Sequence, residues 1–240
     1  MIKKRFLMVL LLGILFNITA CNGRFVKGSG DLTNETRPVT NFDRIVLSGS
    51  GEVIVTQDGS ESLTIETDDN IMKYVKVEVK NGILTLGFDE GSYFISHTRL
   101  VFNVSVDDLT GLTVSGSGDI GSDKLETSQL DITVSGSGDV QITDLTASDV
   151  KADISGSGEV FLAGNADTQD LDVSGSGKYY SGDVCSKSVS VKVSGSGNVT
   201  VCALETLNST ISGSGSVNYF GQPTINFSGS GSGKLNNLGQ

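Results

Sequence analysis

Tryptophan is missing from the 240 residues, and only two prolines, Pro38 and Pro223, and one histidine, His97, occur. One imidazole is a poor basis for hydrolase chemistry, because nucleophile activation commonly pairs a serine or cysteine with an adjacent base. His97 follows the irregular stretch Glu90-Gly91-Ser92-Tyr93 and reads as a solvent-facing loop residue. Scarce proline leaves almost every residue able to donate its backbone N–H to a sheet. Basic residues are also few: 17 Lys and Arg against 28 Asp and Glu give a net charge of −11. That balance excludes nucleic acid as a natural partner, since its footprint is a basic stripe. It also argues against docking on anionic lipid through the protein surface. No apolar run reaches the roughly 20 residues of a membrane-spanning helix.

The longest apolar run, Phe6 to Phe16, follows Lys3, Lys4 and Arg5 and precedes Ile18-Thr19-Ala20-Cys21. A basic start, a short apolar stretch and small residues before a cleavage point make a secretory signal peptide over residues 1–20. Ile18-Thr19-Ala20-Cys21 resembles a bacterial lipobox, which implies diacylation of the Cys21 sulfur, cleavage before it and acylation of the new amino terminus. Several acyl chains would hold the protein firmly on a membrane without its spanning one. The three basic residues leave with the signal and no acid does, so 14 basic residues remain against 28 acidic ones, a net charge of −14. An outer-membrane lipid anchor is the expected location. The periplasmic side is favoured because Asn22-Gly23-Arg24-Phe25 has no acidic export cue.

What is abundant is glycine, 31 residues, and much of it recurs in one phrase. Ser-Gly-Ser-Gly begins at Ser48, Ser115, Ser135, Ser155, Ser174, Ser194, Ser212 and Ser228. From Ser115 the spacings are 20, 20, 19, 20, 18 and 16. The flanks separate these strings from flexible linkers. Immediately before them stand Leu47, Val114, Val134, Ile154, Val173, Val193, Ile211 and Phe227. Two residues earlier come Ile45, Leu112, Ile132, Ala152, Leu171, Val191, Ser209 and Ile225, and the positions between are mostly polar. After each corner a second apolar column appears: Val53, Ile120, Val140, Val160, Tyr179, Val199 and Val217. Alternation with period two places these columns inside. Units of about 20 residues, each with one buried stripe, cannot fold alone and must stack. The expected fold is all-β, a right-handed parallel β-helix with about 20-residue repeats.

Residues 63–106 break the period and read as longer strands that close the N-terminal end of the stack. Asn81-Gly82 between two alternating runs marks a type I′ hairpin. Residues 21–37 read as a lipidated tether, leaving 38–240 as a single β-helix domain.

At Phe42-Asp43-Arg44-Ile45-Val46-Leu47-Ser48-Gly49-Ser50-Gly51-Glu52-Val53, and again at the recurring Val-Ser-Gly-Ser-Gly-Asp-Val, the sequence is similar to the "putative auto-transporter adhesin, head GIN domain" family. Asp69-Asn70-Ile71 and the strands around Asn81-Gly82 share the resemblance, which covers about residues 38–235. It implies an exported protein of Gram-negative bacteria, a β-helix-like fold and no catalytic residue to carry over.

Four sets of residues invite a functional reading. Asp119, Asp139 and Glu159 follow successive corners and would form an acidic ladder able to take Ca²⁺, or simply a solvated face. The Ca²⁺-binding nonapeptide repeat of β-helices is not present. Cys185 and Cys202 fall at similar points of adjacent layers, where they would be oxidised to a disulfide in an exported protein or remain as two buried thiols. Tyr179, Tyr180, Tyr219 and Phe220 could make an aromatic patch for sugar rings, or pack inside. The serines are corner residues with no helix behind them, unlike a nucleophile elbow.

These readings converge on a non-catalytic binding or adhesion module with a protein or glycan ligand, needing no cofactor. A self-associating structural envelope protein stays open beside it. So does a polysaccharide-active enzyme, which would need two carboxylates across a cleft.

Overall fold

The structure is a computed structural model that describes residues 24–89, 91–96 and 99–239. Residues 1–20, Cys21, where lipidation is expected, and His97 lie outside the described residues.

The chain forms a parallel β-solenoid of about six turns. Its regular part comprises β10 (Gly111–Gly116), β11 (Asp119–Ser122), β12 (Leu125–Gly136), β13 (Val140–Gly156), β14 (Glu159–Gly175), β15 (Lys178–Gly195), β16 (Asn198–Gly213) and β17 (Ser216–Phe220), closed by β18 (Thr224–Gly231) and β19 (Lys234–Gly239). Earlier in the chain come β1 (Arg24–Lys27), β2 (Leu32–Arg37), β3 (Arg44–Gly49), β4 (Glu52–Gln57), β5 (Ser62–Asp68), β6 (Val75–Lys80), β7 (Ile83–Phe88), β8 (Ser92–Ser96) and β9 (Leu100–Val106). One short 3₁₀ turn, Met72–Tyr74, interrupts them.

Layers stack in the register that the columns require. Val134 pairs with Ile154, Ile154 with Val173, Val173 with Val193 and Val193 with Ile211. All five are buried in one continuous core. Each such side chain contributes roughly 1.5–3 kcal/mol by leaving water. The first rung joins the rest across a long gap in sequence, with Ser48 paired to Ser115.

The two glycines of each corner serve different ends. In Gly116, Gly136 and Gly156 φ lies between +132° and +136°, which side chains rarely tolerate. The second glycine is fixed by space instead. A Cβ on Gly138 would sit 2.0 Å from the Gly118 carbonyl oxygen and 2.7 Å from Val114 Cγ1. Glycine stacks on glycine because no other residue leaves room for the layer beneath.

At the N-terminal end β7 and β9 extend the two sheets in parallel, beside β3 and β4 respectively. Antiparallel β6 and β5 then cover β7 and β9. Asn81 and Gly82 both have positive φ, 53° and 78°, as a type I′ turn demands. Among the described residues β6 pairs with β7 and β2 with β5, so the outermost strands of this end run antiparallel to the stack. The stretch read as a tether is partly strand: β2 lies antiparallel on β5, and Arg37 donates to the carbonyls of Val75 and Met72.

The last rung differs from expectation. Ile211 pairs with Gly229 and Ser212 with Ser230, so the final corner begins at Ser230 and not at Ser228. Phe227 falls beneath Ser209, two residues away from the column assigned to it. The string Ser228-Gly229-Ser230-Gly231-Ser232-Gly233 offers two corners, and stacking selects the second.

Candidate functional site

Outward positions, set by the same alternation, form ladders along the rod. Four residues past each corner serine the ladder reads Asp119, Asp139, Glu159, Lys178, Asn198 and Ser216. Here the acidic ladder exists, but its oxygens are engaged. Asp119 Oδ1 accepts the Asp139 N–H at 2.9 Å, and Asp139 Oδ1 accepts the Glu159 N–H at 2.8 Å. Glu159 Oε1 accepts from Lys178 Nζ. Hydrogen bonding to Glu159, and its charge, raise the Lys178 pKa above the ordinary lysine value. Among the described residues no three His, Cys, Asp or Glu side chains gather as a metal would require. The carboxylates are spread one per layer, those of Asp119 and Asp139 aimed at backbone amides and that of Glu159 at Lys178.

The four aromatic candidates divide by parity. Tyr179 is fully buried and donates to Gln169 Oε1 at 2.9 Å, and burial pushes its hydroxyl pKa up. Tyr219 is buried as well, so neither belongs to a surface patch. Tyr180 and Phe220 stay partly exposed. The residue not foreseen is Phe161, directly paired with Tyr180 in the layer before it and 38% exposed. Both stand six residues past their corner serines, Ser155 and Ser174, and counting from the corners would have brought them together.

Cys185 and Cys202 pair in adjacent strands with a Cα separation of 4.4 Å and are joined as a disulfide. The register jumps here: Ser181 pairs with Val201, but Cys185 with Cys202, so Gly182, Asp183 and Val184 bulge against β16, while Asp183 stays paired with Ala163 on the other side and Val184 is buried in the core. The interruption leaves a cavity of about 520 Å³ bordered by the disulfide, Leu204, Phe220, Asp183 and Gln222. On the sheet face before the corners runs a longer groove of about 790 Å³. It lies among Lys151, Asp153, Asp172, Lys192 and Asn208 and ends at Phe227. Lys192 Nζ donates to Asp172 Oδ2 at 2.7 Å, and Asn226 Nδ2 to Asn208 Oδ1 at 2.9 Å, so this face too is ordered by contacts between layers.

The family model described as "Putative auto-transporter adhesin, head GIN domain" matches residues 41–223. The chain belongs to this family. A solved structure of a "putative adhesin" from Bacteroides fragilis resembles this head GIN domain with a TM-score of 0.84 and 29% identity, covering 89% of this chain and 100% of the other. A "putative adhesin" from Parabacteroides distasonis gives 0.73 and 26%, over 90% and 100% of the two chains. A "putative lipid binding protein" from the same species gives 0.76 at 22% identity, over 90% and 100%, and shares the fold. Among curated proteins, none matches. The family points to an extracellular or envelope-associated protein with a binding or adhesive role. No helix among the described residues is long and apolar enough to cross a membrane.

Proposed function

We propose that this head GIN domain is a lipoprotein of the cell envelope, anchored through Cys21, that works as a non-catalytic binding or adhesion module. The observation that carries this reading is the pair of outward faces whose side chains are held layer to layer, Asp119 to Asp139 to Glu159 on one and Asp172 to Lys192 on the other. Rigid, repeating donors and acceptors suit recognition of an extended surface ligand, a glycan or a protein, because little side-chain entropy is lost on binding. The carboxylates sit one per layer along a convex face, whereas glycosidase chemistry needs two across a cleft. Binding of the 22–240 fragment to glycan and host-matrix arrays tests the proposal, and a fragment that binds no surface would refute it. Protease shaving of intact cells decides whether the anchored domain faces outward or, as the tether sequence favours, the periplasm.

A second reading, self-association, is favoured by the last rung. Among the described residues β18 pairs only with β16 and β19 only with β17, leaving their outer edges open there. Ile225, Phe227 and Leu238 are 40%, 47% and 50% exposed there. The rung carries one charge, Lys234, in a chain of net −11, so two such edges meet without strong repulsion. Sedimentation equilibrium would show concentration-dependent oligomers that Phe227→Lys abolishes. A monomer at every concentration rejects this reading.

A further inference from the structure

The lateral face beyond the corners carries an apolar strip with a polar border on each side. Phe161 and Tyr180 are paired in adjacent layers, and Thr200 continues the same column. Next to them the chain loses bulk at Ala163 and Gly182. A Cβ on Gly182 would lie 3.1 Å from Phe220 Cε2 and 3.5 Å from Thr200 Cγ2. The Phe220 ring therefore lies against Gly182, two residues past Tyr180, and Gly182 and Phe220 both border the cavity beside Leu204 and the disulfide. From the layer of Phe161 to that of Phe220 is three steps of about 4.8 Å, on the order of 14 Å.

Polar groups line both margins. Glu159, Lys178 and Asn198 form one edge, with Lys178 fixed by its bond to Glu159. Asp183 and Gln222 form the other, at the mouth of the cavity. An aromatic face is electron-rich and attracts the weakly positive C–H groups on the flat face of a pyranose ring. The hydroxyls around that ring then point sideways, where the margins hold carboxylate, ammonium and amide groups. An acyl chain would use the strip and leave both polar margins without partners. An acidic glycan would meet Glu159, Asp183 and a net charge of −11.

We infer that this strip binds a neutral oligosaccharide of two or three pyranose rings, stacked on Phe161 and Tyr180 and ending against Phe220. The inference rests on the binding-module reading and specifies its ligand class.

Calorimetric titration of the full chain with cellotriose, chitotriose and mannotriose tests it, with dodecanoate as the acyl probe. Saturable binding of at least one trisaccharide is expected. Phe161→Ala and Tyr180→Ala should each weaken it about tenfold, as loss of one stacked ring implies. Phe227→Ala, on the other groove, should leave it unchanged, and circular dichroism verifies that each variant is folded. No saturable trisaccharide binding, binding indifferent to both aromatic substitutions, or binding of dodecanoate alone overturns the inference. If the variants lose no adhesion on arrays while the wild type binds them, the strip is wrong and the module reading stands. If the wild type binds no surface, the module reading itself has failed.

Discussion

Tyr179 donates its hydroxyl proton to Gln169 Oε1 at 2.9 Å inside the solenoid, in a position where neighbouring layers hold valine. Ser181 Oγ donates to the same oxygen at 2.7 Å, while Gln169 Nε2 donates to Ser186 Oγ and the Val184 carbonyl. This polar knot includes the Val184 carbonyl and so adjoins the bulge of residues 182–184 and the disulfide. It satisfies groups that the bulge would otherwise leave buried without partners, at about 1–3 kcal/mol each.

Alkaline stability should report on Tyr179. Burial raises its pKa above the ordinary tyrosine value of about 10, so the unfolded chain ionises first as pH rises. The stabilising contribution is whole below about pH 10 and is lost progressively above it. Urea midpoints measured from pH 8 to 11 should fall more steeply for the wild type than for Tyr179→Phe. The variant itself should be about 1 kcal/mol less stable at neutral pH. Parallel curves for the two proteins would contradict the assignment.

Corner glycines should divide sharply by position. Gly136→Ala combines φ of +136° with a Cβ 2.2 Å from the Gly116 carbonyl oxygen and should cost about 3 kcal/mol or more. Gly121 has open space around the missing side chain. Gly121→Ala should change stability by less than about 0.5 kcal/mol. Chemical denaturation of both variants checks the contrast.

The Cys185–Cys202 bond closes a segment with a sequence separation of 17. Its loss through Cys202→Ser, or by reduction, should lower stability by about 3 kcal/mol. Alkylation followed by mass spectrometry should find neither thiol free in the exported protein. Quantitative labelling without reductant would show that the bond does not form there.

Calcium should leave the melting temperature unchanged, because Asp119 and Asp139 each face a backbone amide rather than one another. Asp139→Ala should cost about 1 kcal/mol by leaving the Glu159 N–H without its acceptor. Asp139→Asn, which keeps an acceptor oxygen, should recover most of it. A calcium-dependent rise in melting temperature, lost in Asp139→Asn, would restore the metal reading.

The solenoid's interior and its turning points are legible in the residues alone. Alternation with period two around Val134, Ile154, Val173 and Val193 fixes which side chains go inside, and glycine pairs at constant spacing fix where the chain turns. Both are local properties, legible without knowing what lies above or below. The same parity assigns Tyr179 and Tyr219 to the interior and Tyr180 to the surface. Only the stacked layers decided the rest. A slip of two residues preserves parity, so nothing local distinguishes a last corner at Ser228 from one at Ser230; the fit of Gly231 against the Gly213 carbonyl oxygen does. The bulge at Gly182-Asp183-Val184, the cavity beside it and the meeting of Phe161 with Tyr180 likewise depend on register between layers. Register is set by contacts between residues about 20 positions apart, which a strand's own pattern does not encode.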